Sequence, residues 1–119
     1  MPITAIVEFS PTEGIDPKES YDRLTRELNG GEPMTRRSHW NDGMLAHSYS
    51  VGEDGSAVAV DVWRDQQSMD AWMGRVGPLI EREGSAANMQ ARVFETHAVV
   101  TEGLQYAEEV ASAPRIRHA

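Results

Sequence analysis

Two residues of this chain, His47 and Asp61, are of the types a general-base pair requires, and one short loop containing Gly52 and Gly55 separates the segments that carry them. A carboxylate bonded to one imidazole nitrogen fixes the tautomer and makes the other nitrogen a better base, which suits proton abstraction near neutral pH. Their meeting depends on register. If Gly52 pairs with Ser56 across a three-residue bulged loop, paired numbers sum to 108 and His47 lies directly opposite Asp61. Tyr49 then faces Ala59, and Trp63 faces Leu45. A sum of 107 sets Asp61 against Ala46 and separates the two side chains onto opposite faces. The competing reading is a structural His bonded to a neighbouring carboxylate or buried in a subunit interface.

His97 is the other candidate base. It shares a strand face with Val93, Glu95 and Val99, where a polar group is either a pocket residue or a satisfied core histidine. Trp63, Trp72 and Trp40 are candidate walls for a planar ligand, or plain core aromatics. Arg36 and Arg37 suit either a carboxylate grip or a solvated loop. His39, His47 and His97 show no short metal-binding spacing, so neither metal nor cofactor is expected.

The elements that must hold these residues follow from periodicity. Residues 3–9 are β-branched and apolar, with Ile3, Ala5, Val7 and Phe9 on one face of a first strand. Asp16-Pro17-Lys18-Glu19 is a capping-box start for a helix whose stripe is Tyr21, Leu24 and Leu28. On its solvated side Glu19 with Arg23 and Asp22 with Arg26 suit i,i+4 pairs, and Asn29-Gly30-Gly31 ends it. A polar loop spans residues 32–43, and Met44–Val51 with Ser56–Trp63 forms a hairpin. Asp65 caps a second helix with the stripe Met69, Trp72, Met73 and Val76, which Gly77-Pro78 is expected to break or kink. A last strand fits residues 90–100, and residues 104–112 suit a short helical tail.

The order strand, helix, strand, strand, helix, strand predicts an α+β ferredoxin-like domain over residues 1–100, with a four-stranded antiparallel sheet and an added tail over 101–119. Strands one and four are apolar on both faces, so a second subunit is expected to cover the outer face as a homodimer. The 119 residues carry 11 Lys plus Arg against 19 Asp plus Glu, a formal charge of −8, which argues against nucleic acid. The longest aliphatic run is Ala57 to Val60, far short of the ~20 residues of a membrane helix. With no Cys and no signal-peptide layout at the start, a soluble cytoplasmic protein is the expectation.

His47-Ser48-Tyr49 ahead of the Gly55 hairpin, Asp61-Val62-Trp63, the run Met69 to Trp72, Pro78, and Phe94-Glu95-Thr96-His97 together resemble the dimeric α/β-barrel superfamily. The resemblance is to its antibiotic-biosynthesis-monooxygenase-like and related uncharacterised branches, and it spans residues 3–100. It implies two sheets from two subunits facing each other, with a pocket in each subunit between helices and sheet. It also implies small, often aromatic or polyketide-like ligands, and an activity among cofactor-free oxygenases, isomerases, haem-degrading proteins or inactive members. Haem-degrading relatives carry a ligating His on the second helix, and residues 66–76 hold none.

The resulting expectation is cofactor-independent oxidation or isomerisation of an enolisable aromatic substrate. His47, Asp61 and His97 would be catalytic, and Tyr49, Trp63 and Trp72 would bind substrate. A non-catalytic metabolite-binding protein is the alternative. Met1-Pro2-Ile3 also resembles the start of an N-terminal-proline tautomerase, with Pro2 as base.

Overall fold

The β-branched first segment forms β1 (Ile3–Phe9), an inner strand of a four-stranded sheet in a computed structural model that describes residues 1–100. The other strands are β2 (Met44–Val51), β3 (Ala57–Trp63) and β4 (Met89–Glu95), in the order β2-β3-β1-β4 with every pairing antiparallel. Two helices, α1 (Pro17–Leu28) and α2 (Gln66–Glu83), complete the ferredoxin-like α+β arrangement. The expected helix at residues 104–112 lies outside the described residues.

Both helices start where a side-chain oxygen accepts an otherwise unpaired backbone N–H. Asp16 accepts from the Lys18 amide at 3.0 Å with Pro17 in the first turn, and Asp65 accepts from the Ser68 amide at 2.8 Å. Their apolar stripes then fall on the sheet. Leu24, Trp72 and Val76 join Ala5, Met44 and Trp63 in one buried cluster, with Trp63 at 0% exposure. Gly43 is fixed by this packing: its φ is +90°, and a Cβ there would sit 2.1 Å from the Ser68 hydroxyl oxygen.

Two expectations need correction. Pro78 does not break α2, which runs as one 18-residue helix to the left-handed Gly84. The C-terminal half packs Leu79 and Ile80 on the core, and it is tied to α1 as Arg82 bonds Glu27 and Arg23 grips Glu83 with Nε 3.1 Å from both carboxylate oxygens. Arg23 keeps Glu19 as an electrostatic neighbour on α1 and directs its hydrogen bonds across to Glu83 of α2. Finally, β4 ends at Glu95, not Val100, because Glu95 pairs with Ile3 at the start of β1 and, among the described residues, the backbone pairing ends with the Thr96 amide bond to Pro2.

The Arg23–Glu83 contact makes a pH prediction. Glu83 also accepts from the Ser20 hydroxyl at 2.8 Å, and Arg23 holds its carboxyl below the ordinary value of 4.5 against the opposing effect of burial. A carboxyl lowered on folding adds stability that is complete above the ordinary value and disappears as pH falls through the folded one. Acid unfolding followed by circular dichroism should therefore steepen below about pH 4.5, where Glu83 titrates. Glu83→Gln should be less stable at pH 7 and show a flatter acid limb; an unchanged limb would refute the assignment.

The sheet face turned away from the helices carries Ile6, Val58, Val60 and Val62, all half-buried, with Phe94 at 45% exposure. No described residue forms a layer over it.

Candidate active site

Gly52 donates to the Ser56 carbonyl at 2.8 Å, which fixes the hairpin in the register that places His47 opposite Asp61. Period-two alternation then turns both side chains, with Tyr49 and Ala59, toward the helices. The Asp61 carboxylate accepts from His47 Nδ1, and the two side chains are only 8% and 9% exposed. With that proton toward Asp61, Nε2 holds the lone pair and accepts from the Tyr21 hydroxyl at 2.8 Å. Tyr21 thus completes a three-residue array, Asp61–His47–Tyr21.

Tyr21 was read from the sequence only as part of the α1 stripe. The usable signal was chemical: tyrosine has a polar tip that must find a partner when a stripe is buried, and the facing strand carries a histidine. Tyr21 stacks on Tyr49 at 4.3 Å between ring centroids, and Tyr49 donates to the Pro17 carbonyl at 3.2 Å. Burial, and after it the negative charge of Asp16, pushes the Tyr49 phenol above its ordinary value. Tyr49 therefore stays protonated and ties β2 to the start of α1.

Trp40 packs against His47 with ring centroids 4.4 Å apart, and Trp72 packs on Trp40 at 5.4 Å. The array opens into a cavity of about 100 Å³ between sheet and helices, walled also by Leu24, Val76 and Ile80. Of the residues expected to act, His47, Asp61, Tyr49 and Trp72 line this cavity. Trp63 does not: it is core, 6.2 Å from Trp72, and it supports the wall from behind. Its strand partner is Met44, not Leu45, because a bulge between Met44 and Ala46 advances the register by one. His97 is exposed beyond the end of β4 and is not among the lining residues, and Pro2 is not either. Among the described residues no group of three acidic or His side chains is placed to hold a metal ion.

No protein-family profile matches this sequence. No curated protein matches it either. Solved structures do. The Rv0793 protein of Mycobacterium tuberculosis superposes with a TM-score of 0.60 at 15% identity, covering 85% of this chain and 100% of its own. A variant of SnoaB, a cofactor-independent oxygenase from Streptomyces nogalater, gives 0.57 at 18% identity over 85% and 98%. An antibiotic biosynthesis monooxygenase, so designated without proof of activity, from Caulobacter crescentus CB15 gives 0.60 at 8% identity over 82% and 91%. The fold is that of the antibiotic-biosynthesis-monooxygenase-like proteins. In this monooxygenase-like fold the cavity under the helices holds the Asp61–His47–Tyr21 array, and no helix of the described residues is long and apolar enough to cross a membrane.

Proposed function

We propose that this protein is an enzyme that removes a proton from an enolisable aromatic substrate and completes either a cofactor-independent oxidation, with dioxygen as the oxidant, or an isomerisation. The observation that carries the reading is the Asp61–His47–Tyr21 array in the wall of an otherwise apolar cavity. Tyr21 occupies Nε2, so the substrate proton either passes through the phenol to His47 or reaches Nε2 directly after the substrate displaces Tyr21. Asp61 holds the imidazole in the accepting tautomer and is the counter-charge to the imidazolium that forms. Trp40 and Trp72 offer ring faces that orient a planar substrate. The likeness in fold to a cofactor-independent oxygenase supports oxidation as one of the two outcomes.

The test is exchange of the acidic C–H of a panel of enolisable aromatics in deuterium oxide, with oxygen uptake measured beside it. Exchange that His47→Gln abolishes while ligand still binds would establish the base. Tyr21→Phe should slow exchange by about 10-fold or more if the phenol relays the proton. Ligand binding with no exchange by any panel member would replace the enzyme with a metabolite-binding protein.

The apolar outer sheet face supports a homodimer in which two sheets face each other. Light scattering on the eluting protein should give twice the 13.2 kDa chain mass across a concentration series. A concentration-independent monomer would exclude that assembly.

A further inference from the structure

We propose that the cavity selects an uncharged ligand with a single aromatic ring carrying one hydroxyl or enol group. This rests on the proposed function of the same site and narrows its substrate class. Charge is the first observation. Among the described residues that line the cavity there is no Lys or Arg, and the one carboxylate is Asp61. Three arginines of the helices are engaged elsewhere, Arg23 and Arg82 with glutamates and Arg75 with Asn41 and the Trp72 ring, and the fourth, Arg26, is exposed. An anionic ligand would therefore enter beside a buried like charge with no cation to meet it, in a protein of net charge −8.

The second observation is the number of polar contacts on offer. Ser20 donates to Glu83, Thr25 to the Tyr21 carbonyl, and Tyr49 to the Pro17 carbonyl, so these lining hydroxyl groups serve the fold. Ser10, Thr12 and Ser85 also line the cavity, with Thr12 accepting from Asn88 at 2.7 Å, and beside the aromatic walls the polar atoms that lie together are the Tyr21 hydroxyl and His47 Nε2. One ligand hydroxyl or enol can bond to this pair, and the ligand's remainder meets aromatic and aliphatic walls.

Size is the third. The cavity of about 100 Å³ is well below the ~300 Å³ at which drug-sized pockets begin, and a cavity of about 150 Å³ already takes benzene. At about 100 Å³ it is smaller than even that benzene-binding cavity, so the site takes at most one ring and has no space for a second.

Tryptophan fluorescence, which Trp40 and Trp72 make sensitive to occupancy, should be titrated at pH 7 with three probes: 4-methylphenol, 4-hydroxybenzoate and 9-phenanthrol. Saturable quenching by 4-methylphenol is expected, with binding of 4-hydroxybenzoate at least about 10-fold weaker and no saturable binding of the three-ring phenol. Asp61→Asn should narrow the gap between the first two probes. Equal or tighter binding of the carboxylate, saturable binding of 9-phenanthrol, or no binding of 4-methylphenol would each overturn the proposal. Because these are binding measurements, saturable binding of 4-methylphenol combined with no exchange by any member of the enolisable panel would reject the catalytic reading and leave the ligand class standing.

Discussion

Asp61→Asn is expected to lower kcat by about 100- to 10,000-fold while KM moves less than about threefold, the range general-base catalysis contributes. The substitution keeps the shape of the side chain, so the packing of β2 on β3 survives. What changes is the proton. A carboxylate can only accept from His47 Nδ1, whereas the amide can also turn its NH2 toward that nitrogen. Once it does, the imidazole proton moves to Nε2, which then donates to the Tyr21 oxygen and no longer accepts from it. The ring is in place and points at the right partner, yet the lone pair that takes the proton is gone. Nitrogen chemical shifts of His47 should report the change of tautomer alongside the kinetics. If kcat stays within twofold of the parent and the tautomer is unchanged, Asp61 is a structural partner and the array is not the base.

Trp63→Ala carries the largest expected cost in stability, about 3–5 kcal/mol, out of the 5–15 kcal/mol typical of a domain. Trp63 is the one described side chain below 2% exposure, and its ring stands behind Trp72, which in turn packs on Trp40 beside His47. Removing it leaves a void that the sheet and α2 cannot both close. Trp63→Phe should cost about half as much or less, because the indole N–H has no hydrogen-bond partner among the described residues and its removal relieves a buried donor. Urea unfolding of the two variants measures both values. A midpoint for Trp63→Ala within 1 kcal/mol of the parent would mean that the void is refilled and that the wall behind Trp72 is not fixed by Trp63.

The elements were legible where a local rule had no rival. Alternation gave β1, Asp16 and Asp65 announced both helix starts, and the four-residue stretch from Gly52 to Gly55 set the register that brings His47 to Asp61. The misread features are all decided by partners distant in sequence. Met44 and Leu45 are equally apolar, so nothing local says which one faces Trp63. Apolar alternation continues to Val100, but a strand lasts only as long as its neighbour, and β1 stops pairing at Ile3. His97 went with it. Pro78 has the local signature of a break, and α2 continues past it where Leu79 and Ile80 pack on the core and ion pairs join the two helices. Tyr21 sat in plain view on α1, and its role depends on the histidine that β2 brings within 2.8 Å.

The bulge beside Leu45 divides β2 into two parts that answer to different demands. Without it, alternation would force one choice on the whole strand: if His47 points under the helices, Met44 points away from them. The extra residue lets both point inward, three positions apart, so that one end of the strand plugs the tryptophan core and the other presents the imidazole. Residues at the Met44 end can then change to suit packing without re-aiming His47, and substitutions around Tyr49 can reshape the cavity without unseating the core. The joint gives a small domain two separately adjustable halves on a single strand.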